Sequence, residues 1–219
     1  MAKYSLAIIL LCLPLILAIS AFGSGIGEWV SFTDSYGNNV PSKTNITEES
    51  NDGIVVEMEV NGMNVEQKLI NGSQYQSLTI PMSAWTNETG KPKLPVVRTL
   101  VVVPSDGNIQ VIVEEAEQIE LDNYNVYPVG RQAVKNGRNG TVYVGEEFTI
   151  DKDFYSSDEP YPQNPAMIAY SGYMREQRLV QLEFHPLIYR PSSQKLTCYS
   201  YMRIRLKFNE NPIMTRLSQ

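Results

Sequence analysis

The sequence has few of the side chains on which enzymes most often build catalytic sites. It contains one histidine, His185, and two cysteines, Cys12 and Cys198. A Cys–His or Ser–His catalytic pair would have to use His185, and so would a metal site built on histidine. Cys12 lies in an N-terminal apolar run, so the rest of the chain holds one cysteine and has no internal disulfide. This scarcity argues against an enzyme.

Basic residues are also outnumbered. The chain has 18 lysines and arginines against 24 acidic residues, which gives a formal net charge of −6. Because negatively charged phosphates repel such a protein, nucleic acid and anionic membranes are not expected partners. The acidic segment from Asp151 to Gln163 could be imagined to hold calcium, but its spacing does not match an EF-hand. We predict no metal and no cofactor.

Long apolar runs are absent after the N-terminus. The one such run, Leu6–Ile19, follows Lys3 and precedes small residues. This arrangement is typical of a secretory signal peptide, and the run is too short to span a bilayer comfortably. We therefore predict a cleaved signal peptide at residues 1–23. The mature protein is expected to be secreted or displayed at the cell surface, with no membrane segment.

Helical periodicity is also missing, whereas strand-like alternation is widespread. From Leu196 to Phe208, apolar residues such as Met202 and Ile204 share one parity, and polar residues such as Arg203 share the other. The pattern predicts an all-β fold, an antiparallel β-sandwich of roughly nine to eleven strands. We expect a flexible N-terminal arm at 24–52, the sandwich at 53–208 and a tail at 209–219.

Three local patterns give more specific expectations. Residues 178–189 and 195–208 predict a long hairpin near the end of the chain. Asn61-Gly62 separates two alternating runs and predicts a type I′ turn between paired strands. Residues 96–103 are almost continuously apolar, which predicts a central strand covered on both faces.

His185 and Cys198 would lie almost opposite each other in the long hairpin. Their positions in the alternating pattern differ. His185 alternates in step with the polar residues Gln181 and Glu183, whereas Cys198 alternates in step with the apolar residues of its strand. The two side chains should therefore lie on opposite faces. We interpret His185 as a histidine at the edge of a strand and Cys198 as a small buried hydrophobe.

Seven short pieces of the chain, in this order and spacing, resemble the N-terminal propeptide domain of gingipain-type (C25 family) cysteine peptidases. They are YQSLTIP at 75–81, GKPKLP at 90–95, VYP at 126–128, YP at 161–162, REQRL at 175–179, HPLIYRP at 185–191 and LTCY at 196–199. The resemblance implies a β-sandwich that precedes a caspase-like catalytic domain in an exported zymogen. It also implies a non-catalytic domain that assists folding of the peptidase and blocks its cleft, with the catalytic domain as partner in cis or in trans.

In that family, a loop with a basic residue can occupy the cleft of Arg- or Lys-specific members. Candidates for peptidase contact in this sequence are Arg131, Lys135, Arg138, Arg175 and Arg178, and each could equally be ordinary solvated surface. Arg216 is a candidate processing site.

Glycosylation-type triplets begin at Asn45, Asn71, Asn87 and Asn139. An alternative function is a stand-alone extracellular β-sandwich that binds carbohydrate or a cell-surface protein.

Overall fold

A computed structural model describes residues 27–34, 38–137 and 140–209, with the backbone alone at 136, 137 and 140–142. The predicted signal peptide and residues 210–219 of the predicted tail lie outside the described residues. The all-β prediction is confirmed, because all pairings between named strands are antiparallel. The described residues contain 14 strands rather than the predicted number, because short or polar edge strands have weak sequence patterns.

The strands are β1 Glu28–Ser31, β2 Lys43–Ser50, β3 Gly53–Glu59, β4 Gly62–Ile70, β5 Ser73–Thr79, β6 Ala84–Trp85, β7 Pro95–Val103, β8 Asn108–Leu121, β9 Arg131–Gly137, β10 Gly140–Glu147, β11 Ala166–Met174, β12 Gln177–Phe184, β13 Leu187–Arg190 and β14 Lys195–Asn209. One helix, α1, spans Lys152–Tyr155.

These strands form four hydrogen-bonded sheets. In the largest, the central strand β14 pairs with β8, β13 and β3, and β3 pairs with β2. The second has the order β11–β12–β7–β6, the third is β1–β4–β5, and the fourth is the hairpin β9–β10. The buried faces of the first three sheets share one hydrophobic core, whose members include Met58, Met63, Leu78, Val101, Leu182, Phe184, Ile204 and Leu206.

The alternation predicted for β14 is present in the structure. Every second residue from Leu196 to Leu206 is buried, and the residues between them are partly exposed. Because side chains of successive strand residues point to opposite faces, one face of β14 contributes to the core and the other faces outward.

The long hairpin predicted for residues 178–208 is only partly formed, so that prediction is wrong for its first half. β13 pairs with the start of β14, from Leu187 opposite Cys198 to Arg190 opposite Lys195. β12 pairs instead with β11 and β7 in the second sheet. The chain changes sheet at His185 and Pro186, where the proline lacks the N–H that a continuous ladder requires.

The turn predicted at Asn61-Gly62 is also wrong, because β3 and β4 belong to different sheets. Gly62 is required for close packing instead, since an added Cβ would clash with the Val30 carbonyl oxygen and lie 2.7 Å from the Trp29 ring. The Asn-Gly pair with positive φ is the later Asn71-Gly72, at 49° and 82°, which joins β4 to β5. The sequence has four Asn-Gly pairs, and only tertiary contacts distinguish the one that joins β4 to β5.

β7 is central, as predicted, and its first residues, Pro95–Val97, are buried on both faces. In its second half Val101 and Val103 are buried, whereas Leu100 and Val102 on the other face are exposed. The expectation of cover on both faces is therefore wrong for the second half of the strand. An apolar run shows that both faces of a strand are apolar, and it does not show that another layer lies over each face.

Residues 24–52 contain β1 and β2, where the sequence suggested a flexible arm. β1 pairs with β4, and β2 pairs with β3. β2 reads KTNITEES and is exposed along nearly its whole length. Its polar composition therefore fits an edge strand that faces water on both sides. Among the described residues, no helix is long and apolar enough to cross a bilayer.

Candidate functional site

The hairpin β9–β10 pairs with no other strand in the described part of the chain. The sequence suggested a loop at residues 130–140, and the structure places Arg131 and Lys135 on β9, with both side chains exposed. Nη2 of Arg131 lies 2.6 Å from Oε2 of Glu147 on β10, and this hydrogen bond raises the pKa of Arg131. Lys135 is exposed further toward the tip, and Arg138 lies outside the described residues.

The root of this hairpin is fixed to the sandwich. The Gly90 N–H donates to the Val129 carbonyl at 2.8 Å, and the Asp151 N–H donates to the Gly90 carbonyl at 3.1 Å. Lys93 lies 3.3 Å from Glu146. Next to these bonds, an aromatic cluster packs with ring centroids 5.3 to 6.2 Å apart, formed by Tyr75, Tyr127 and Phe148. The hairpin is thus a two-stranded arm on a rigid base.

Two other candidates, Arg175 and Arg178, lie elsewhere. Arg175 is exposed in the turn between β11 and β12, with φ of 58°. Arg178 donates from Nη1 to the Gly107 carbonyl at 2.8 Å and from Nε to the Ser171 hydroxyl at 3.1 Å. Measured along β12, this turn lies roughly 20 Å from Phe184. Phe184 is the residue that lies near the end of β7 facing the hairpin root. The structure therefore does not bring the five candidates together.

A cavity of about 580 Å³ lies between the second sheet and two segments, residues 86–91 and residues 154–164. Its lining residues include Lys91, Arg98, Met167, Glu183 and His185. Lys91 pairs with Asp151 at 3.0 Å, which connects this cavity to the segment that follows β10.

His185 is buried at the wall of this cavity, with 3% of its surface exposed, so its predicted position at a polar strand edge is wrong. Nδ1 lies 2.6 Å from the Asn164 carbonyl, and Nε2 lies 3.0 Å from Oε1 of Glu183. Sequence parity could not find this position, because His185 lies just past the end of β12, where alternation no longer applies.

Glu183 accepts a second bond from Nε of Arg98, at 2.8 Å. Burial opposes ionisation of Glu183, but the hydrogen bonds from Arg98 and His185 outweigh it and lower the pKa of Glu183. The carboxylate therefore holds β7, β12 and His185 together as a charged group.

Cys198 is fully buried in the core, and burial raises the pKa of its thiol. Its Sγ lies 3.9 Å from the Leu196 carbonyl, whereas the ring nitrogens of His185 contact Asn164 and Glu183. The two residues thus form no hydrogen-bonded dyad.

Two of the four acidic side chains in the Asp151–Gln163 segment, those of Asp151 and Asp158, have structural partners. Asp151 caps α1 by accepting a hydrogen bond from the Phe154 N–H at 3.0 Å. This bond makes the largest contribution to lowering the pKa of Asp151, and the hydrogen bond from Lys91 makes the next largest. Asp158 accepts from the Ser193 hydroxyl at 2.7 Å and the Ser192 hydroxyl at 3.1 Å. Among the described residues, no three His, Cys, Asp or Glu side chains are grouped as metal ligands.

The outward side of the largest sheet carries a network of ion pairs. Arg203 contacts Glu48, Glu57 and Glu114, and its Nε lies 3.2 Å from Oε2 of Glu114. Arg205 contacts Glu114 and lies 3.1 Å from Oε2 of Glu48. The hydrogen bond from Arg205 makes the largest contribution to lowering the pKa of Glu48, and the hydrogen bond from Arg203 makes the next largest. We call these five residues the charged face.

The outward side of the second sheet is different in kind. The exposed fractions of Leu100, Tyr170 and Met174 are 62%, 64% and 61%. The strand register places these side chains on one face, because Leu100 lies opposite Gln181 and Gln181 opposite Tyr170. We call this surface the apolar face, and its members are Leu100, Val102, Met167, Tyr170, Met174 and the half-buried Leu179.

Sequence reasoning missed both the apolar face and the cavity. One available signal was β11, which reads AMIAYSGYM and has no charged residue. The cavity had no sequence signal, because its residues come from segments far apart in the chain.

The remaining predicted sites are not tested by these contacts. Asn45, Asn71 and Asn87 are exposed, so their side chains are accessible, while Asn139 and Arg216 lie outside the described residues. Glycosylation at the four asparagines and processing at Arg216 stay predictions.

The described residues thus define an antiparallel β-sandwich with a separate two-stranded hairpin and two exposed sheet faces of contrasting chemistry. The sequence matches the Propeptide_C25 family over residues 36–216. The chain therefore belongs to the propeptide family of C25, gingipain-type cysteine peptidases, as its sequence suggested. No curated protein matches this chain.

Two solved structures from Porphyromonas gingivalis have the same fold. One is a complex of the pro- and mature domains of RgpB, with a TM-score of 0.68 and 16% identity, covering 77% of this chain and 84% of that one. The other concerns the zymogenic latency of gingipain K, with a TM-score of 0.65 and 20% identity, covering 85% of this chain and 100% of that one.

Proposed function

We propose that this chain is the secreted propeptide domain of a gingipain-type cysteine peptidase, and that it aids folding of the peptidase and inhibits it. The observation that carries the proposal is the hairpin β9–β10, which presents exposed Arg131 and Lys135 on a fixed root. The similar RgpB structure, which is a complex of pro- and mature domains, supports a peptidase as the partner. The domain is not itself catalytic, and its partner is linked in a longer precursor or bound in trans.

The shape of the hairpin suits insertion into a cleft. Two paired strands lie about 5 Å apart, so the arm is narrow compared with the sandwich. A basic side chain on such an arm can pair with a carboxylate in the specificity pocket of an Arg- or Lys-specific peptidase. The fixed root reduces the entropy that the hairpin would lose on binding.

A role in folding requires that the domain fold without its partner. The shared core of the first three sheets supports this, because it contains large side chains that are completely buried within the chain itself. We also propose that residues 1–23 are removed on export, so that the mature protein acts outside the cell or at its surface.

The test is a titration of a C25-type peptidase from the same source with the purified domain. We expect loss of peptidase activity at stoichiometric amounts. Replacing Arg131, Lys135 and Arg138 together by alanine should weaken inhibition by about 100-fold, because a hairpin without basic side chains no longer occupies the specificity pocket of the peptidase. Lys207→Ala, at an exposed lysine on β14, is the matched control and should inhibit like the native domain.

Full peptidase activity at stoichiometric excess of the native domain would overturn the inhibitory function and favour the stand-alone binding module. Arg175→Ala and Arg178→Ala separate the candidates further. We expect neither to change inhibition, because both residues lie far from the hairpin root along β12.

A further inference from the structure

We propose that the apolar face, on β7, β12 and β11, is the surface that docks onto the body of the peptidase domain. This inference rests on the proposed function and extends it, because it separates the surface that provides affinity from the hairpin that blocks the cleft. The partner surface should be apolar and uncharged.

The apolar face extends over three neighbouring strands, with Gln181 among its apolar members. Leu100, Gln181 and Tyr170 form one row across the three strands, and Val102, Leu179 and Gly172 form the next. A Cβ at Gly172 would lie 2.6 Å from the Tyr170 hydroxyl oxygen, so glycine lets the Tyr170 ring lie along β11 over position 172. Exposed apolar patches larger than a few hundred Å² on a soluble domain mark interaction sites.

Charge also points to an apolar partner. β11 has no charged residue. At the cavity end, Arg98 and Glu183 neutralise each other at 2.8 Å. A partner with charges opposite this surface would bury them without compensation, which is costly. An uncharged apolar partner surface would avoid that cost.

The apolar face is connected to the hairpin through contacts within the domain. Met167 and Arg98 line the same cavity as Lys91. Lys91 pairs with Asp151, and the Asp151 N–H bonds to Gly90 at the hairpin root. A peptidase that receives the hairpin would therefore stand beside this surface.

A second contact is also needed on grounds of size. Stable interfaces bury about 800 Å² on each partner, which is more than the tip of a two-stranded arm can supply. The charged face is a poor alternative, because Arg203 and Arg205 already contact glutamates of their own sheet. Taking such pairs out of water offers little gain.

The experiment measures binding of the domain to an active-site-inactivated C25 peptidase domain from the same source, by titration calorimetry. Leu100→Glu combined with Tyr170→Glu should weaken binding by about 30-fold or more. The triple alanine variant of the hairpin should lose inhibition of the active peptidase while keeping most of this binding. Leu69→Glu is the matched control, because Leu69 is an exposed leucine on β4, and it should bind like the native domain.

The outcomes are distinguishable. If the native domain binds and the Leu100→Glu/Tyr170→Glu variant binds equally well, the docking surface is wrong while the proposed function stands. If the native domain does not bind, the proposed function fails and this inference fails with it. If the isolated domain forms a dimer that the double variant dissolves, a second copy covers the apolar face, which also overturns the proposal. Circular dichroism of each variant verifies that it is folded.

Discussion

On the outward side of the largest sheet, Arg203 and Arg205 contact three glutamates from neighbouring strands, whereas on the outward side of the second sheet Leu100 and Tyr170 are exposed without such partners. The inward sides of both sheets are alike, since both are predominantly apolar and share one core. The difference shows that two outward faces of one sandwich can have different roles. A face whose charged groups contact each other contributes to the fold, and a face that leaves apolar groups in water remains available to a partner.

The largest effect should come from the core, where the two sheets are equivalent. Leu182→Ala, beneath the apolar face, and Leu206→Ala, beneath the charged face, should each lower the free energy of unfolding by about 2–5 kcal/mol, because each leaves a cavity. Urea unfolding measures both, with the exposed Leu69→Ala as control. A loss for one leucine and none for the other would mean that the sheets do not share a core.

Substitutions on the two outward faces should differ in their effect on Tm, and the larger of the two effects should be of intermediate size. Arg203→Met leaves Glu48, Glu57 and Glu114 close together with less compensation, so we expect a fall in Tm on the order of 3 °C. Leu100→Gln should leave Tm nearly unchanged, because its side chain is exposed. The Arg203 effect should shrink in roughly 1 M salt, which screens ion pairs. Equal effects of the two substitutions would remove the distinction between the faces.

The smallest effect concerns Glu183, whose pKa is lowered in the folded protein. A carboxylate with a lowered folded pKa stabilises the protein above its unfolded pKa of about 4.3, and the contribution is lost as pH falls through the folded value. Glu183→Gln should therefore cost about 0.5 kcal/mol at neutral pH. Its difference from the native protein should decrease in acid.

Urea unfolding at neutral pH and near pH 3 measures this difference, with the exposed Glu66→Gln as control. A difference that is the same at both pH values would show that the ionised carboxylate does not hold β7 and β12 together.

Much of the architecture could be predicted from local patterns. The alternation of β14 and the central position of β7 in its sheet are present as expected. The family resemblance was also visible in short motifs spread over the chain. For the candidate site, the sequence indicated the segment with Arg131 and Lys135 but described it as a loop, because its glycines and asparagines hid the pairing of β9 with β10.

The burial of His185 and the exposure of Leu100 could not be predicted in this way. His185 is buried because Asn164, 21 residues earlier in the chain, contacts it beside its sequence neighbour Glu183, and Leu100 is exposed because the described residues place no further layer over it. The contact from Asn164 and the lack of a layer over Leu100 are not specified by the adjacent residues.

The sequence by itself determined that the chain is built of strands, which residues of β14 face inward, and which peptidase-propeptide family the chain belongs to. These properties depend on side-chain alternation and on motifs within short segments. Only the tertiary structure decided that Asn71-Gly72 rather than Asn61-Gly62 forms the tight turn, that the chain changes sheet at Pro186, and that one outward face is charged and the other apolar. Strand pairing and coverage depend on contacts between distant segments, which local periodicity does not specify.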